Sequence, residues 1–244
     1  MPLGTVAVVS DVHGNAVALE AVLAELGSHE PELVVFGGDL TWGPLPEETL
    51  ALVDGLRTPA VFVRGNAERA LLEPDDELSE RGRWLLARHS PEALAFLASF
   101  VEQETIEIDG LGAVRFCHGS PRSDEELVTP ETPPARMGAL SEGMDEKVLV
   151  TAHTHLQFDR TVGSLRSVNP GSIGMAYGVA PGTACWALLA TDVVLRQTSF
   201  SVEQAAARYS ESGDPAAEQM IEILVSPPAR DEVIEHAERL EFSG

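Results

Sequence analysis

The sequence predicts an α/β fold, and three observations carry that expectation. Short apolar runs alternate with helical patterns through residues 5–66, as in βαβ units with buried sheets. Five further β-like runs separated by tight turns lie between residues 147 and 199, which predicts a second, mainly antiparallel sheet. Hydrophobic residues make up 44% of the 244-residue chain, ample for a full core, so wholesale disorder is excluded.

Each element has its own signal. Residues 5–10 are β-branched and apolar and stop at a polar turn, Asp11-Val12-His13-Gly14-Asn15. Residues 16–26 place Leu19, Val22, Leu23 and Leu26 at helical spacing, with Glu20 and Glu25 off that face. Residues 33–36 form a second apolar strand, broken by Gly37-Gly38. Pro44 and Pro46 open a helix over residues 47–56, with acids in its first turn as the helix dipole favours. Residues 60–64 are a third strand, ended by Gly65-Asn66.

The middle of the chain changes character. Residues 67–100 read as a helical cap or insertion over one edge of the site. Residues 105–108 and 113–117 form a hairpin turning at Asp109-Gly110. Residues 120–141, rich in Pro, Glu and Thr, are expected as a long mobile loop. The five later runs are residues 147–151, 158–162, 165–168, 184–189 and 193–199, and an acidic tail over 201–244 carries two or three helices. All of this is expected to form a single domain over residues 1–244.

Charge narrows the function. The chain carries 39 acidic and 16 basic side chains, a formal net charge of −23. Such a surface repels a nucleic-acid backbone, which argues against an extended DNA or RNA footprint while leaving a small nucleotide possible. Cys117 and Cys185 are the two cysteines and form no CxxC pair, so a secreted disulfide framework is not expected. The first apolar run is short and lacks a basic lead, unlike a signal peptide. No run approaches the roughly 20 residues that span a bilayer. The expectation is a soluble cytoplasmic protein with no membrane partner; a homo-oligomer stays open.

Chemistry gathers at the strand ends. Ser10-Asp11-Val12-His13-Gly14-Asn15, Gly37-Gly38-Asp39, Gly65-Asn66, Cys117-His118-Gly119 and Thr151-Ala152-His153-Thr154-His155 each end or closely follow an apolar run. Ligands of open α/β sheets bind just beyond such ends. Asp11 and His13 alternate with Val12, so an extended segment sends both to one side. His153 and His155 share that spacing, and Gly38 lets the backbone approach closely beside Asp39. Carboxylate, amide and imidazole groups suit Mn, Fe, Ni or Zn. Two such metals sharing an oxygen ligand point to hydrolysis of a phosphate ester. Taken singly, each block also fits an ordinary turn; in this order they support one another.

In that order the blocks resemble those of the calcineurin-like metallophosphoesterase superfamily, most closely its small bacterial and archaeal phosphodiesterase branch. The family runs D-x-H, G-D, G-N-H, a lone H and G-H-x-H. Here the blocks are Asp11-Val12-His13, Gly38-Asp39, Gly65-Asn66-Ala67, His118 and Ala152-His153-Thr154-His155. The resemblance implies two β-sheets packed face to face and flanked by helices in four layers. It implies that Asp11, His13 and His155 bind one divalent metal, manganese by preference. Asp39 would bridge to a second metal held by Asn66, His118 and His153. A hydroxide shared by the metals would attack phosphorus in small phosphodiesters or phosphomonoesters. Asp39, Asn66 and His118 are the residues expected to act most directly on the reaction.

Two departures matter. Ala67 replaces the family histidine that assists the leaving group, which favours good leaving groups. Ala152 stands where Gly is usual, and Met175-Ala176-Tyr177 stands where relatives carry Pro-Arg. Candidate substrate contacts are Asn15, which is otherwise a turn residue, and Trp42, which stacks an aryl group or simply packs. Arg64 is either a pocket cation or a solvated strand end, and Asn66 is counted here as well as among the ligands. Arg122 is a weaker candidate. His89 is a conceivable stand-in for the missing imidazole but fits a solvated helical histidine better, and Cys117 reads as a small buried hydrophobe. The rival readings are a metal-binding interaction subunit with little turnover and a cyclic-nucleotide phosphodiesterase.

Overall fold

A computed structural model describes residues 1–74 and 77–240. The chain opens with β1 (Val6–Val9), α1 (Ala16–Leu26), β2 (Leu33–Phe36), α2 (Pro46–Asp54) and β3 (Ala60–Phe62). Three helices follow, α3 (Asn66–Leu72), α4 (Glu80–Arg88) and α5 (Pro91–Ala98). Next come β4 (Gln103–Ile108), β5 (Gly112–Cys117), α6 (Pro134–Leu140), β6 (Val148–Val150), β7 (Phe158–Val162) and β8 (Leu165–Asn169). The chain finishes with β9 (Thr183–Leu189), β10 (Val193–Ser199), α7 (Val202–Ser212), α8 (Ala217–Val225) and α9 (Arg230–Arg239).

Two five-stranded sheets result, ordered β10-β9-β1-β2-β3 and β4-β5-β6-β8-β7. Alternation along β1 and β2 explains how they stack. Val6, Val8 and Val35 face the second sheet, where they meet Ile108, Val114, Phe116, Val150 and Val168. Ala7, Val9, Val34 and Phe36 face the other way, onto Leu19 and Val22 of α1 and Leu85 of α4. A strand buried on both faces needs apolar residues at every position, which is the composition of β1 and β2.

The second sheet differs from the expectation in two ways. It is mixed: β5–β6 and β6–β8 are parallel, while only the edge pairs β4–β5 and β7–β8 are antiparallel. The last two strands join the first sheet instead, β9 running antiparallel to β1 with Val8 opposite Ala187. Their composition explains this. Ala184 and Trp186 bury against the helices, and Ala187 and Leu189 bury between the sheets, so β9 is apolar on both faces and takes an interior place.

Two segments also pack otherwise than expected. In α4 and α5, Leu85 and Leu97 share the core of α1, and Phe62 stacks with Phe100 at 4.9 Å between centroids. These helices extend the layer on the outer face of the first sheet, and α3 is the part that reaches the site. Residues 120–141 are held down rather than loose: Val128, Met137 and Leu140 are buried with Phe158 of β7 and Ile234 of α9. The Thr129 and Thr132 hydroxyls donate to Glu238 at 2.6 and 2.7 Å. In the tail, Tyr209 and Met220 pack against Ala16 and Val17 of α1. No helix among the described residues is long and apolar enough to cross a membrane.

Candidate metal centre

All seven expected ligands lie just past the carboxyl ends of β1, β2, β3, β5 and β6. The local backbone is unlike a strand. Among the described non-glycine residues, positive φ occurs at Asp11 (52°), His13 (47°), Asp39 (55°), His153 (65°), His155 (58°) and Glu30 (46°). Five of those six are expected ligands. The left-handed region is unfavourable for a residue with a side chain and persists only where surrounding structure enforces it. Asp11 with His13, and His153 with His155, thus share a side through left-handed turns, not through the extended pleat expected from spacing.

The ligands form two groups, Asp11–His13–His155 and Asp39–His118–His153, each with ligand atoms within 4.8 Å of one another. His13 Nε2 and His155 Nε2 are 3.0 Å apart, and His155 Nε2 is 3.3 Å from Asp11 Oδ1. In the other group His118 Nε2 lies 3.0 Å from Asn66 Oδ1 and 3.2 Å from His153 Nδ1. One oxygen faces both: Asp39 Oδ2 is 3.6 Å from His13 Nε2 and 3.5 Å from His118 Nε2.

Backbone carbonyls set the tautomers. His13 Nδ1 faces Trp42 O at 3.3 Å, His155 Nδ1 faces Met175 O at 3.0 Å and His118 Nδ1 faces Gly37 O at 2.7 Å. An Nδ1–H donating outward leaves the Nε2 lone pair aimed inward, as metal-ligating histidines require. The two lone pairs on His13 and His155 then face each other, an arrangement that a cation relieves. Both carboxylate oxygens of fully buried Asp11 lack a hydrogen-bond partner, which a cation would also satisfy. Imidazole, carboxylate and amide donors in this number fit two borderline divalent metals.

Electrostatics divide the histidines. Burial opposes a charge on His118, but the Asp39 carboxylate outweighs it and pushes the pKa up to about 10, so a metal at this position would have to displace a proton from His118. Burial, reinforced by a neighbouring imidazole, lowers His13 and His153 to about 4, which keeps them neutral and able to ligate at neutral pH. Asp39 would be raised by burial, yet His118 and the other histidines hold it far below the ordinary carboxylate range.

Glu68 is a site residue that sequence reasoning missed. Its carboxylate is buried and accepts three backbone N–H groups, from Asp39 at 2.9 Å, Leu40 at 2.8 Å and Gly65 at 2.8 Å. It thereby ties the Asp39 turn to the start of α3. Burial and the Asp39 charge push its pKa up to about 7. Its available signal was a Glu at the third position of a helix beginning at Asn66, the spacing at which a side chain reaches back to the residue before the helix. Ala67 contributes its backbone N–H to Asp39 Oδ1 at 2.9 Å, leaving Oδ2 to face both histidine pairs.

The other expected residues separate. Asn15 is fully buried; Oδ1 caps α1 by accepting from Ala18 N at 3.0 Å and Nδ2 donates to Gly174 O at 3.2 Å, so both ends of its amide take part in holding the fold. Trp42 is half-buried, packs its ring against the core of the helical layer and turns its carbonyl to His13. His89 is buried, not solvated, and engages Leu85 O at 2.7 Å and Thr41 Oγ1 at 3.1 Å. Cys117 is buried and its thiol pushed up to about 12, an inert small apolar group. Arg64 and Arg122 line a cleft that opens beside His118.

Two mixed sheets between helical layers, with two ligand groups meeting at strand ends, define a metal-centre protein of the α/β sandwich class. The chain belongs to the calcineurin-like phosphoesterase superfamily, whose domain model matches residues 5–192. Protein PH1004 of Pyrococcus horikoshii OT3 has a similar fold, with a TM-score of 0.80 at 20% identity over 92% of this chain and 99% of that one. A metallophosphoesterase of Sphaerobacter thermophilus aligns with a TM-score of 0.71 at 25% identity over 90% and 98%. An archaeal phosphodiesterase aligns at 0.50 with 18% identity over 79% and 99%. No protein of curated function matches the sequence.

Proposed function

We propose that this protein is a dimetal-dependent phosphoesterase hydrolysing small phosphodiesters or phosphomonoesters. The observation that carries the reading is Asp39 Oδ2, which stands between the two ligand groups at 3.6 and 3.5 Å from one histidine of each. Asp11, His13 and His155 would hold one metal and Asn66, His118 and His153 the other, with Asp39 shared. Two divalent metals bound there supply a water of lowered pKa and positive charge opposite the phosphate oxygens. Manganese is our first choice among Mn, Fe, Ni and Zn.

The chain's own residues shape the chemistry at that centre. Asp39 is fixed at Oδ1 by Ala67 N–H, so the shared oxygen keeps one orientation as charge develops. Ala67 offers no imidazole to protonate a departing alkoxide, and general acids contribute about 10²–10⁴-fold. The reading therefore favours esters with stable leaving groups over cyclic nucleotides. Cys117 and Cys185 are buried and unbridged, in keeping with a cytoplasmic setting.

The test is hydrolysis of bis-p-nitrophenyl phosphate by purified protein with and without Mn²⁺. Metal-dependent release is expected, and Asp39→Asn should cut it by several orders of magnitude with the far-ultraviolet spectrum unchanged. Ala67 also supports a second reading, a metal-binding interaction subunit. Metal binding with no release above the metal-free control would favour that reading.

A further inference from the structure

Beside the metal centre lies a cleft of about 250 Å³ with His118 in its wall, and arginines gather there in a strongly acidic chain. Arg64, Arg69 and Arg122 all line it, three of only 16 basic residues in a protein of net charge −23. We infer that this cleft receives a second anionic group of the substrate, so that the protein prefers small phosphate esters carrying a second phosphate. This deepens the phosphoesterase reading and rests on it.

The three arginines are held in different ways. Arg69 pairs with Asp124 at 2.7 Å and Glu125 at 2.5 Å, which ties α3 to residues 121–126 and shapes the wall. Arg122 is anchored by Glu126, whose side chain is only 3% exposed while the arginine's is 46% exposed. Glu126 takes Nε and Nη2 and is itself steadied by the Ser120 hydroxyl. The guanidinium is thereby positioned with Nη1 turned to no partner among the described residues.

Arg64 is the exchangeable one. Its partners Glu73 (3.4 Å) and Glu102 (3.0 Å) have side chains 66% and 78% exposed. Exposed pairs of that kind contribute only about 0–1 kcal/mol. Glu102 itself lines the cleft, so a phosphate must turn it out to solvent; its exposure makes that turn cheap, and the phosphate gains forked, charge-assisted hydrogen bonds in return. The cleft's size limits the choice of occupant. It falls below the roughly 300–1,000 Å³ of typical small-molecule pockets, which suits a compact anion better than a base or an acyl chain. Its opening beside His118 places that anion next to the centre where the scissile phosphate would sit.

The test compares the binding of thymidine 3′,5′-bisphosphate and thymidine 5′-monophosphate to the Mn²⁺-loaded protein by calorimetry. A bisphosphate advantage of about tenfold or more is expected, the scale of one charge-assisted contact. In Arg64→Gln combined with Arg122→Gln the ratio of the two affinities should fall toward one. Arg64→Lys should restore part of it, and the distant surface change Arg239→Gln should leave it at the wild-type value. Equal affinities in the wild type would overturn the inference, even if the double variant failed to fold. So would an advantage that survives the double substitution. Turnover of bis-p-nitrophenyl phosphate by the same preparation tests the underlying phosphoesterase reading separately.

Discussion

At Asp39 three constraints meet on one residue: a positive φ of 55°, an Oδ1 held by Ala67 N–H and a backbone N–H held by Glu68. The strained backbone is stabilised by its neighbours, and Glu68 is the main one. Its three accepted bonds are all buried, so Glu68→Ala leaves three N–H groups without partners. An unsatisfied buried group costs about 1–3 kcal/mol. Loss of roughly 3 kcal/mol or more in a chain of this size lowers Tm by about 6–12 °C. Calorimetry should show that drop together with weakened metal binding. A variant with wild-type Tm and metal content would mean Glu68 is not what aligns the two turns. Residue chemistry singled out the strand-end blocks whose side chains gather into the two groups, because donor types are written in side chains. It did not name the carbonyls of Gly37, Trp42 and Met175 that orient the imidazoles, because any residue carries a carbonyl.

At the scale of elements, the site depends on turns from different strands coming very close. A Cβ placed on Gly65 would lie 2.1 Å from Asp39 Oδ1 and 2.7 Å from Asp39 N. Gly65 has φ −92°, so the requirement there is space and not backbone freedom. Gly65→Ala should therefore push the start of α3, and Asn66 with it, away from the Asp39 turn. The second metal should lose occupancy while Asp11, His13 and His155 still hold the first. Metal analysis should find about one metal per chain in place of two; full occupancy of both would contradict this coupling. Elements were legible where one face or both faces of a run are apolar. The bounds of α1 and β2 follow directly from their patterns. Sheet membership of β9 and β10 was not, since strand pairing depends on partners more than a hundred residues away. The packing of residues 120–141 was hidden for a related reason, with Val128 and Met137 scattered among polar residues.

For the whole molecule, a net charge of −23 and a buried group of carboxylates both favour uptake of divalent cations. Without metal, Asp11 is fully buried with neither oxygen accepting a hydrogen bond and His155 3.3 Å away, beside an Asp39 held ionised by its histidines. Divalent metals that bind this centre in the native state alone stabilise the fold. Ligand at a thousand times its dissociation constant stabilises by about 4.1 kcal/mol. Converted at about 2–4 °C per kcal/mol for a domain this long, saturation should raise Tm by roughly 8–16 °C. Scanning calorimetry in chelator and in excess Mn²⁺ measures the shift. Asp11→Asn should shrink it, because that change removes an anionic donor from the first ligand group. An unchanged Tm on metal addition would show that the buried carboxylates are satisfied by the protein alone. The two ligand groups would then be a charge network and not a metal centre.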